Sequence, residues 1–374
     1  MIPVLIISFT VISVFFLDRW ENKHIKAIFN WVPAILLAYL IPAAISMLIG
    51  EDFAAADIHR FSKTYFIPFA IIAVMSSLSI NQLKSIGWKP IAVFVIGSFW
   101  IAVFPIMLAF VLLDTSFVAN LLIHQEYWKG LPPIVGSWIG GSTSQLVLKE
   151  LVECPENIFL TVLVIDNILV NIWTILMFQG IKKTDRLNHF FKISNLTMPE
   201  NIDEQKEKKT HPVLTFIVLL SSILLVNNFI DSFIVKVIVV SIIGLLFSNL
   251  IKKWNINFAL RIGSILILLV MAILGLKLKF SAMEFDIAFL GFLVVWLISH
   301  VVIMLIAAKL LNVSIAWVPI ASMANVGGIA TAPAVTAAYE KKWMPHAILL
   351  AILSMATGTL WGLLTIFLFK TFLL

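Results

Sequence analysis

Residues 131–151 read LPPIVGSWIGGSTSQLVLKEL, and residues 315–339 read IAWVPIASMANVGGIATAPAVTAAY. Both segments are largely apolar, yet each contains two adjacent glycines followed by hydroxyl side chains. Glycine pairs with serine, threonine and proline nearby form poor continuous helix. The two segments therefore predict helices with an unwound break near the middle, and these breaks decide the fold that we expect.

The composition places these segments in a lipid bilayer. Of 374 residues, 61% are hydrophobic and 12% are charged, and the mean hydropathy is +1.05. A soluble domain carries roughly 25% charged residues, so this chain has too few polar side chains to cover a water-facing surface. We therefore exclude a soluble enzyme, a nucleic-acid-binding protein and a disordered chain. The single cysteine, Cys154, excludes an intrachain disulfide and a cysteine metal site.

Apolar runs that could span a bilayer recur along the whole chain. A transmembrane helix needs about 20 apolar residues, and these runs do not alternate as β-barrel strands do. The sequence therefore predicts an all-α polytopic membrane protein. The twelve predicted runs are 2–17, 31–49, 65–80, 90–113, 131–151, 158–179, 212–229, 232–250, 258–276, 287–311, 315–339 and 345–372.

A charged segment separates six of these runs from the other six. Residues 182–211 hold seven Lys or Arg and five acidic residues, and this basic excess predicts a cytoplasmic linker. A gapless alignment of residues 71–100 with 267–296 gives eight identities. We therefore expect two transmembrane repeats, 1–181 and 212–374, of about five to six helices each. Parallel and inverted repeats both stay open, because one non-spanning segment would change the orientation.

The two predicted breaks indicate a binding site. Within hydrocarbon, non-helical backbone persists only where it is buried in protein or lines a water-filled cavity. Half-helix N-termini attract anionic groups, and matched breaks in two halves are typical of secondary transporters. The alternative is that the glycines only allow close helix packing. The candidate substrate-binding residues are Gly140, Gly141, Ser142, Thr143, Ser144, Gln145, Asn325, Gly327, Gly328 and Thr331.

Asp166 is the clearest ionisable residue deep within a predicted span. An ionised carboxylate is costly there, so Asp166 must face a wet cavity, bind a cation or be protonated. Together with Asn167 and Asn171 it forms the candidate ion-coupling group; the alternative is an aspartate held neutral by its neighbours. His300 is a candidate proton relay, although a lone buried histidine is more often structural.

Two further pairs flank the candidate residues. Lys149 and Glu150 follow the first predicted break, where an ion pair at the helix exit is favoured over a substrate clamp. The last predicted helix carries Gly358 and Gly362, and this spacing indicates close helix packing.

These motifs resemble the bacterial integral membrane proteins called the domain of unknown function 819 family. The resemblance covers almost the whole chain and rests on Gly140-Gly141-Ser142 ahead of Lys149-Glu150, on Asp166-Asn167 with Asn171, and on the string Asn325 to Ala332. It implies a similarity to the bile acid/arsenite/riboflavin and cation–proton antiporter transporters. Those proteins have two repeats, a panel domain, and a core domain with two crossed broken helices that moves like an elevator.

The resemblance also implies that Asp166 and Asn167 correspond to the carboxylate motif that binds Na⁺ or H⁺ beside the crossed helices. It supplies no substrate. The family's usual Gly-Gly-Ser-x-Asn reads Gly-Gly-Ser-Thr-Ser144 here, so we expect the substrate preference to differ from that of relatives.

The preferred hypothesis is a secondary active transporter of a small polar, anionic organic solute, coupled by symport to H⁺ or Na⁺ without a cofactor. We expect it in the bacterial cytoplasmic (inner) membrane, and broad panel surfaces favour a homodimer. An alternative is a cation/proton antiporter with no organic substrate. A membrane scaffold or enzyme is a third hypothesis, but phosphate-loop, zinc-site and nucleophile-elbow motifs are absent from the sequence.

Overall fold

The computed structural model describes residues 2–22, 34–77, 83–194, 199, 210–251, 253–278 and 286–374. Every regular element within these ranges is helical. One end of each predicted run 31–49 and 65–80, and residues 195–198 and 200–209 of the linker, lie outside the described residues. The α-helices of the described ranges are α1 (Ile2–Arg19), α2 (Ala34–Ile49), α3 (Ile58–Phe61), α4 (Ile67–Met75), α5 (Trp88–Val111), α6 (Leu131–Leu151), α7 (Glu156–Ile181), α8 (Thr184–Phe190), α9 (Pro212–Phe229), α10 (Phe233–Leu250), α11 (Ile256–Gly275), α12 (Ile287–Leu310), α13 (Trp317–Val326), α14 (Gly328–Ala337) and α15 (Met344–Phe372).

Within the described residues, eight helical stretches are long and apolar enough to cross a membrane. They contain α1, α5, α7, α9, α10, α11, α12 and α15. The other four predicted runs form α2, α4, α6 and the pair α13–α14, which are shorter, more polar or interrupted. The chain is therefore a multi-pass helical membrane protein, and in the described residues eight of its twelve predicted runs have full crossing length and hydropathy.

The helices group into two compact units, and each unit takes residues from both halves of the chain. The first unit contains Met1–Ser77, Cys154–Ile168 and Glu207–Phe285, and the second contains Leu78–Glu153, Leu169–Lys206 and Asp286–Leu374. The units therefore do not coincide with the predicted segments 1–181 and 212–374. Each segment gives its earlier helices to the first unit and its later helices to the second, and α7 contributes to both.

Close helix contacts at glycine hold the first unit together. A Cβ atom added to Gly244 of α10 would lie 2.8 Å from the carbonyl oxygen of Ile72 in α4. A Cβ added to Gly275 of α11 would lie 2.1 Å from the carbonyl oxygen of Tyr39 in α2. Any side chain at these positions would push the helices apart. The buried Tyr39 hydroxyl also donates to Glu156 Oε2 over 2.7 Å, which fastens the start of α7 to this unit.

The second unit is centred on α15, which packs along α6, α13, α14 and α5. Its largest buried side chains include Trp138 of α6 and Trp296 of α12, whose ring centroids are 4.7 Å apart. In addition, Trp100 Nε1 of α5 donates to Ser299 Oγ of α12 over 2.9 Å. Tryptophan packing and side-chain hydrogen bonds thus position the helices around the two interrupted segments.

The first part of the predicted linker, residues 182–194, contains the short helix α8 and keeps its Lys and Arg side chains exposed, while a few polar groups bond to other parts of the second unit. Buried Asn188 in α8 accepts a hydrogen bond at Oδ1 from the backbone N–H of Ile315 over 2.8 Å. Asn312 accepts at Oδ1 from the Ser194 N–H over 2.9 Å and donates through Nδ2 to Ser194 Oγ over 2.7 Å. Because charged residues dominate this segment, the sequence does not indicate that Asn188 and Ser194 bond to the turn between α12 and α13.

Candidate functional site

The first predicted break lies at Gly141, within α6. Its φ of 66° and ψ of −166° are not helical, and glycine adopts a positive φ without the steric cost that other residues have. Gly141 is half-buried and its neighbours Gly140 and Thr143 are buried, so protein covers part of the unwound backbone; such backbone persists in hydrocarbon surroundings only beside protein or a water-filled cavity.

The second predicted break separates α13 from α14. Helix α13 ends at Val326, and Gly328, with a φ of 67°, starts α14. Gly327 has a φ of −106°, so in this pair too it is the second glycine that has a positive φ. Both breaks belong to the second unit.

Ser354 of α15 connects the two breaks. Its hydroxyl donates to the carbonyl oxygen of Ile139, two residues before Gly141. The same Ser354 Oγ lies 2.9 Å from Asn325 Oδ1, two residues before Gly327. Carbonyls in the last turn of a helix have no helical donor. For the Ile139 carbonyl, the hydroxyl of Ser354 from another helix is the donor. The structure therefore brings the ends of the two first half-helices to one side chain.

Asn325 is the most connected of the predicted binding residues. Its exposed fraction is 2%, and its Oδ1 lies 3.0 Å from Ser98 Oγ of α5 as well as near Ser354. Its Nδ2 has no hydrogen-bond partner among the described residues. An unpaired buried amide costs about 1–3 kcal/mol, so this atom position is a candidate ligand contact.

Three other predicted residues present buried polar atoms that have no partner among the described residues. They are Thr143 Oγ1, Gln145 Nε2 and Thr331 Oγ1. Ser144 differs, because its Oγ lies 3.0 Å from Thr359 Oγ1 of α15. Folded proteins pair nearly all buried polar groups, so unpaired donors at both breaks fit a site that a polar ligand completes.

The site has no formal charge of its own. Residues 131–148 and 313–339 contain no acidic or basic side chain. Lys149 follows directly, is buried, and has its Nζ 3.1 Å from Glu150 Oε1, so the ion pair predicted at the helix exit is confirmed. Backbone dipoles and neutral hydroxyl and amide groups therefore dominate the electrostatics at the breaks.

The predicted coupling residues lie on α7. Asp166 is buried, with an exposed fraction of 7%, whereas Asn167 and Asn171 are half-buried. Asp166 and Asn167 fall in the part of α7 that belongs to the first unit, and Asn171 falls in the second. The carboxylate is therefore buried in the protein, close in sequence to the point where α7 changes unit.

The later part of α7 is joined to the second interrupted segment. Trp173 Nε1 donates to Ser322 Oγ of α13 over 2.9 Å, and both residues are buried. Ser322 lies three residues before Asn325, on the half-helix that ends at the break. Helix α7 thus carries Asp166 and, two turns further along, a direct contact to the candidate site.

His300 of α12 is completely buried. A Cβ added to Gly97 would lie 2.9 Å from His300 Cε1, so the ring packs closely against α5. Neither ring nitrogen has a side-chain hydrogen-bond partner within the described residues, and the backbone of Gly97 faces the ring. The proposed relay at His300 thus gains no supporting contact and stays a prediction.

Sequence reasoning missed the serines and threonine that join the helices at the breaks. Ser98, Ser322 and Ser354 each contact another helix through the hydroxyl, and Thr359 contacts Ser144. The useful signal was the Gly358 spacing, which is confirmed as a close contact: a Cβ there would lie 2.3 Å from Gly140 Cα. Ser354 lies one turn before it and therefore faces the same helix.

A separate cleft of about 740 Å³ lies in the first unit, with Pro3, Asp57, Arg60 and Tyr65 in its lining. None of the predicted site residues lines it. Among the described residues there is no cluster of three or more His, Cys, Asp or Glu side chains.

Comparison with protein families assigns the chain to a family. No curated protein matches the chain. The family described as "Protein of unknown function (DUF819)" matches residues 5–372, which is nearly the full length and includes both breaks and Asp166. The chain therefore belongs to the DUF819 family.

Proposed function

We propose that this protein is a secondary active transporter of a small polar organic solute, coupled to H⁺ or Na⁺, in the bacterial cytoplasmic membrane. The observation that carries the proposal is the meeting of two helix breaks at Ser354, with unpaired buried polar atoms on both interrupted segments. Buried polar atoms without a protein partner favour a site that binds and releases a solute; they disfavour a purely structural role for these residues. A bare ion needs fewer of these hydroxyl and amide groups, which disfavours an antiporter without a solute.

In this proposal Asp166 binds the coupling ion. A buried carboxylate within a membrane helix is costly unless a cation or proton accompanies it, so its occupancy changes with the ion gradient. Helix α7 then transmits that change through Trp173 to Ser322 and the second break. Alternating access comes from movement of one unit against the other, and no catalytic step on the solute is involved.

The test uses the full chain in proteoliposomes loaded with a pH-sensitive dye. Pools of L-amino acids, 2-hydroxy acids, sugar acids and dicarboxylates are added outside, with and without a Na⁺ gradient. We expect solute-dependent proton movement, or solute uptake that requires Na⁺. Asp166→Asn should abolish the coupled flux while the protein still inserts, whereas Asp231→Asn, the same change at an exposed turn, should leave it intact.

Two results would contradict the proposal. Undiminished gradient-driven flux in Asp166→Asn would remove the coupling assignment. Proton movement on adding Na⁺ or K⁺ alone, with no response to any solute pool, would instead support the cation/proton antiporter.

A further inference from the structure

The hydrogen atoms around Asn325 decide which end of its amide is free. Ser98 Oγ lies 3.0 Å from the carbonyl oxygen of Phe94 and 3.0 Å from the Asn325 amide. Ser354 Oγ lies between the carbonyl oxygen of Ile139 and the same amide, at 2.9 Å from the latter. Each serine has a single hydroxyl hydrogen, so each can donate to only one of its two neighbours.

The two hydroxyl hydrogens go to backbone carbonyls, for a different reason at each serine. Ile139 lies in the last turn before the break, where the helix supplies no donor, so the Ser354 hydrogen belongs to Ile139. Ser98 donates back to Phe94, the residue four positions earlier, as serines within helices commonly do. Both hydroxyls therefore face Asn325 as acceptors.

The amide of Asn325 must then present its NH₂ group to the two serines. Its oxygen and nitrogen are assigned from the hydrogen-bond network. With the oxygen toward the serines, both NH₂ hydrogens remain unused, since Nδ2 has no partner among the described residues. With NH₂ toward the serines, both of its hydrogens and both hydroxyl hydrogens find acceptors. The atom left over is the carbonyl oxygen of Asn325, which is buried and needs a donor.

The opposite requirement exists at the start of each second half-helix. The first backbone N–H groups after Gly141 and Gly328 lie at the positive ends of helix dipoles and favour a carboxylate. Gln145 Nε2 adds an unpaired donor on the first of these half-helices. The site therefore offers donors and an acceptor but, over residues 131–148 and 313–339, no charged side chain.

We infer that the transported solute is a zwitterion such as an α-amino acid, whose ammonium group binds the Asn325 carbonyl oxygen and whose carboxylate binds at the half-helix N-termini. A ligand of zero net charge suits a site without formal charge, because its two poles are compensated by opposite dipoles. This inference rests on the proposed transport function and replaces the anionic solute that the sequence favours.

The first experiment needs no variant. Thermal unfolding of the purified full chain is measured with each proteinogenic L-amino acid at millimolar concentration, where even weak ligands stabilise. Every stabilising amino acid is then compared with its 2-hydroxy acid, which has the same side chain but a hydroxyl in place of the ammonium group. We expect the hydroxy acid to bind at least about tenfold more weakly.

The second experiment assigns the ammonium contact. Asn325→Ala should weaken binding of the amino acid by about tenfold or more and leave the affinity for the hydroxy acid nearly unchanged. Asn227→Ala is the matched control, because Asn227 lies in the first unit and both of its amide atoms have no partner in the described part of the chain. It should bind the amino acid like the parent chain.

The outcomes separate this inference from the transport proposal. Hydroxy acids or dicarboxylates that bind as tightly as amino acids, or that move through liposomes when amino acids do not, overturn the zwitterion and leave transport in place. If NaCl alone stabilises the parent chain but not Asn325→Ala, the Asn325 carbonyl oxygen binds the coupling ion. That result also overturns the zwitterion inference. The absence of any solute response together with the absence of flux overturns both proposals.

Discussion

The two breaks share one pattern and differ in how another helix holds them. In each, the second glycine of the pair has a positive φ, 66° at Gly141 and 67° at Gly328, with open space where a Cβ would be. In each, the first glycine has a crowded Cβ position, 2.0 Å from the hydroxyl four residues later. The second glycine is therefore required because its backbone has a positive φ, and the first because a Cβ atom would collide with neighbouring atoms.

The two breaks differ in the bonding of the hydroxyl four residues after the first glycine. At the first break it is Ser144, which is paired with Thr359 of α15, and the adjacent Gly140 touches the backbone of Gly358. At the second break it is Thr331, whose Oγ1 has no partner within the described residues. Helix α15 thus secures the first break through side chain and backbone, whereas the second break keeps a free hydroxyl. The corresponding hydroxyl is therefore structural at the first break and free for a ligand at the second, while both breaks carry other polar atoms that are unpaired in the described part of the chain.

The largest expected effect comes from filling the first glycine of a pair. In Gly140→Ala the new Cβ would lie 2.4 Å from Ser144 Cβ and 3.0 Å from Gly358 Cα, atoms that cannot rotate away. In Gly327→Ala the nearest atoms are the side-chain ends of Thr331 and Met323, and these atoms can rotate away. We expect Gly140→Ala to lower the free energy of unfolding by about 1–3 kcal/mol, and Gly327→Ala to lower it less.

Thermal unfolding in detergent micelles ranks these two variants directly. Equal losses, or a larger loss for Gly327→Ala, would show that α15 does not clamp the first break more tightly than the second.

An intermediate effect is expected at the second glycines, where the two breaks should behave alike. Gly141→Ala and Gly328→Ala each force a side chain onto backbone with a positive φ, at a cost of roughly 1–2 kcal/mol. Gly180→Ala in α7 is the control, since this glycine also has open space but no positive φ; it should gain roughly 0.5–1 kcal/mol. If both break variants are as stable as Gly180→Ala, the positive φ at Gly141 and Gly328 is not required for the stability of the fold.

The sequence predicted these breaks because the conformational preference of glycine is a local property. The helix bounds were predictable for a similar reason: residues 131–151 and 212–229 match α6 and α9, since a run of apolar residues ends where polar residues begin. Eight of the twelve predicted runs are continuous apolar helices of crossing length in the described residues; two others contain the predicted breaks, and runs 31–49 and 65–80 each have one end outside the described residues.

The grouping into two units and the serine contacts were not predictable from one sequence. Gly275 approaches the Tyr39 backbone across more than two hundred residues of chain, and a distant contact of this kind leaves no local pattern. Likewise, Ser98 bonds to Phe94 within its own helix as any helical serine does, and nothing in its neighbourhood reveals that its oxygen also faces Asn325.

The smallest expected effect tests the hydroxyls themselves. Ser144→Ala removes the partner of Thr359 and should cost about 0.5–1.5 kcal/mol of unfolding free energy. Thr331→Ala removes an unpaired hydroxyl and should change stability by less than about 0.5 kcal/mol, while weakening any solute response. A double-mutant cycle with Thr359→Val makes the comparison specific: in the Ser144→Ala background this change should cost little more, because the bond is already lost. Additive costs, or equal losses at Ser144 and Thr331, would mean that the hydroxyl at the first break is no more firmly held than the one at the second, and the distinction between a structural and a ligand-facing hydroxyl would fail.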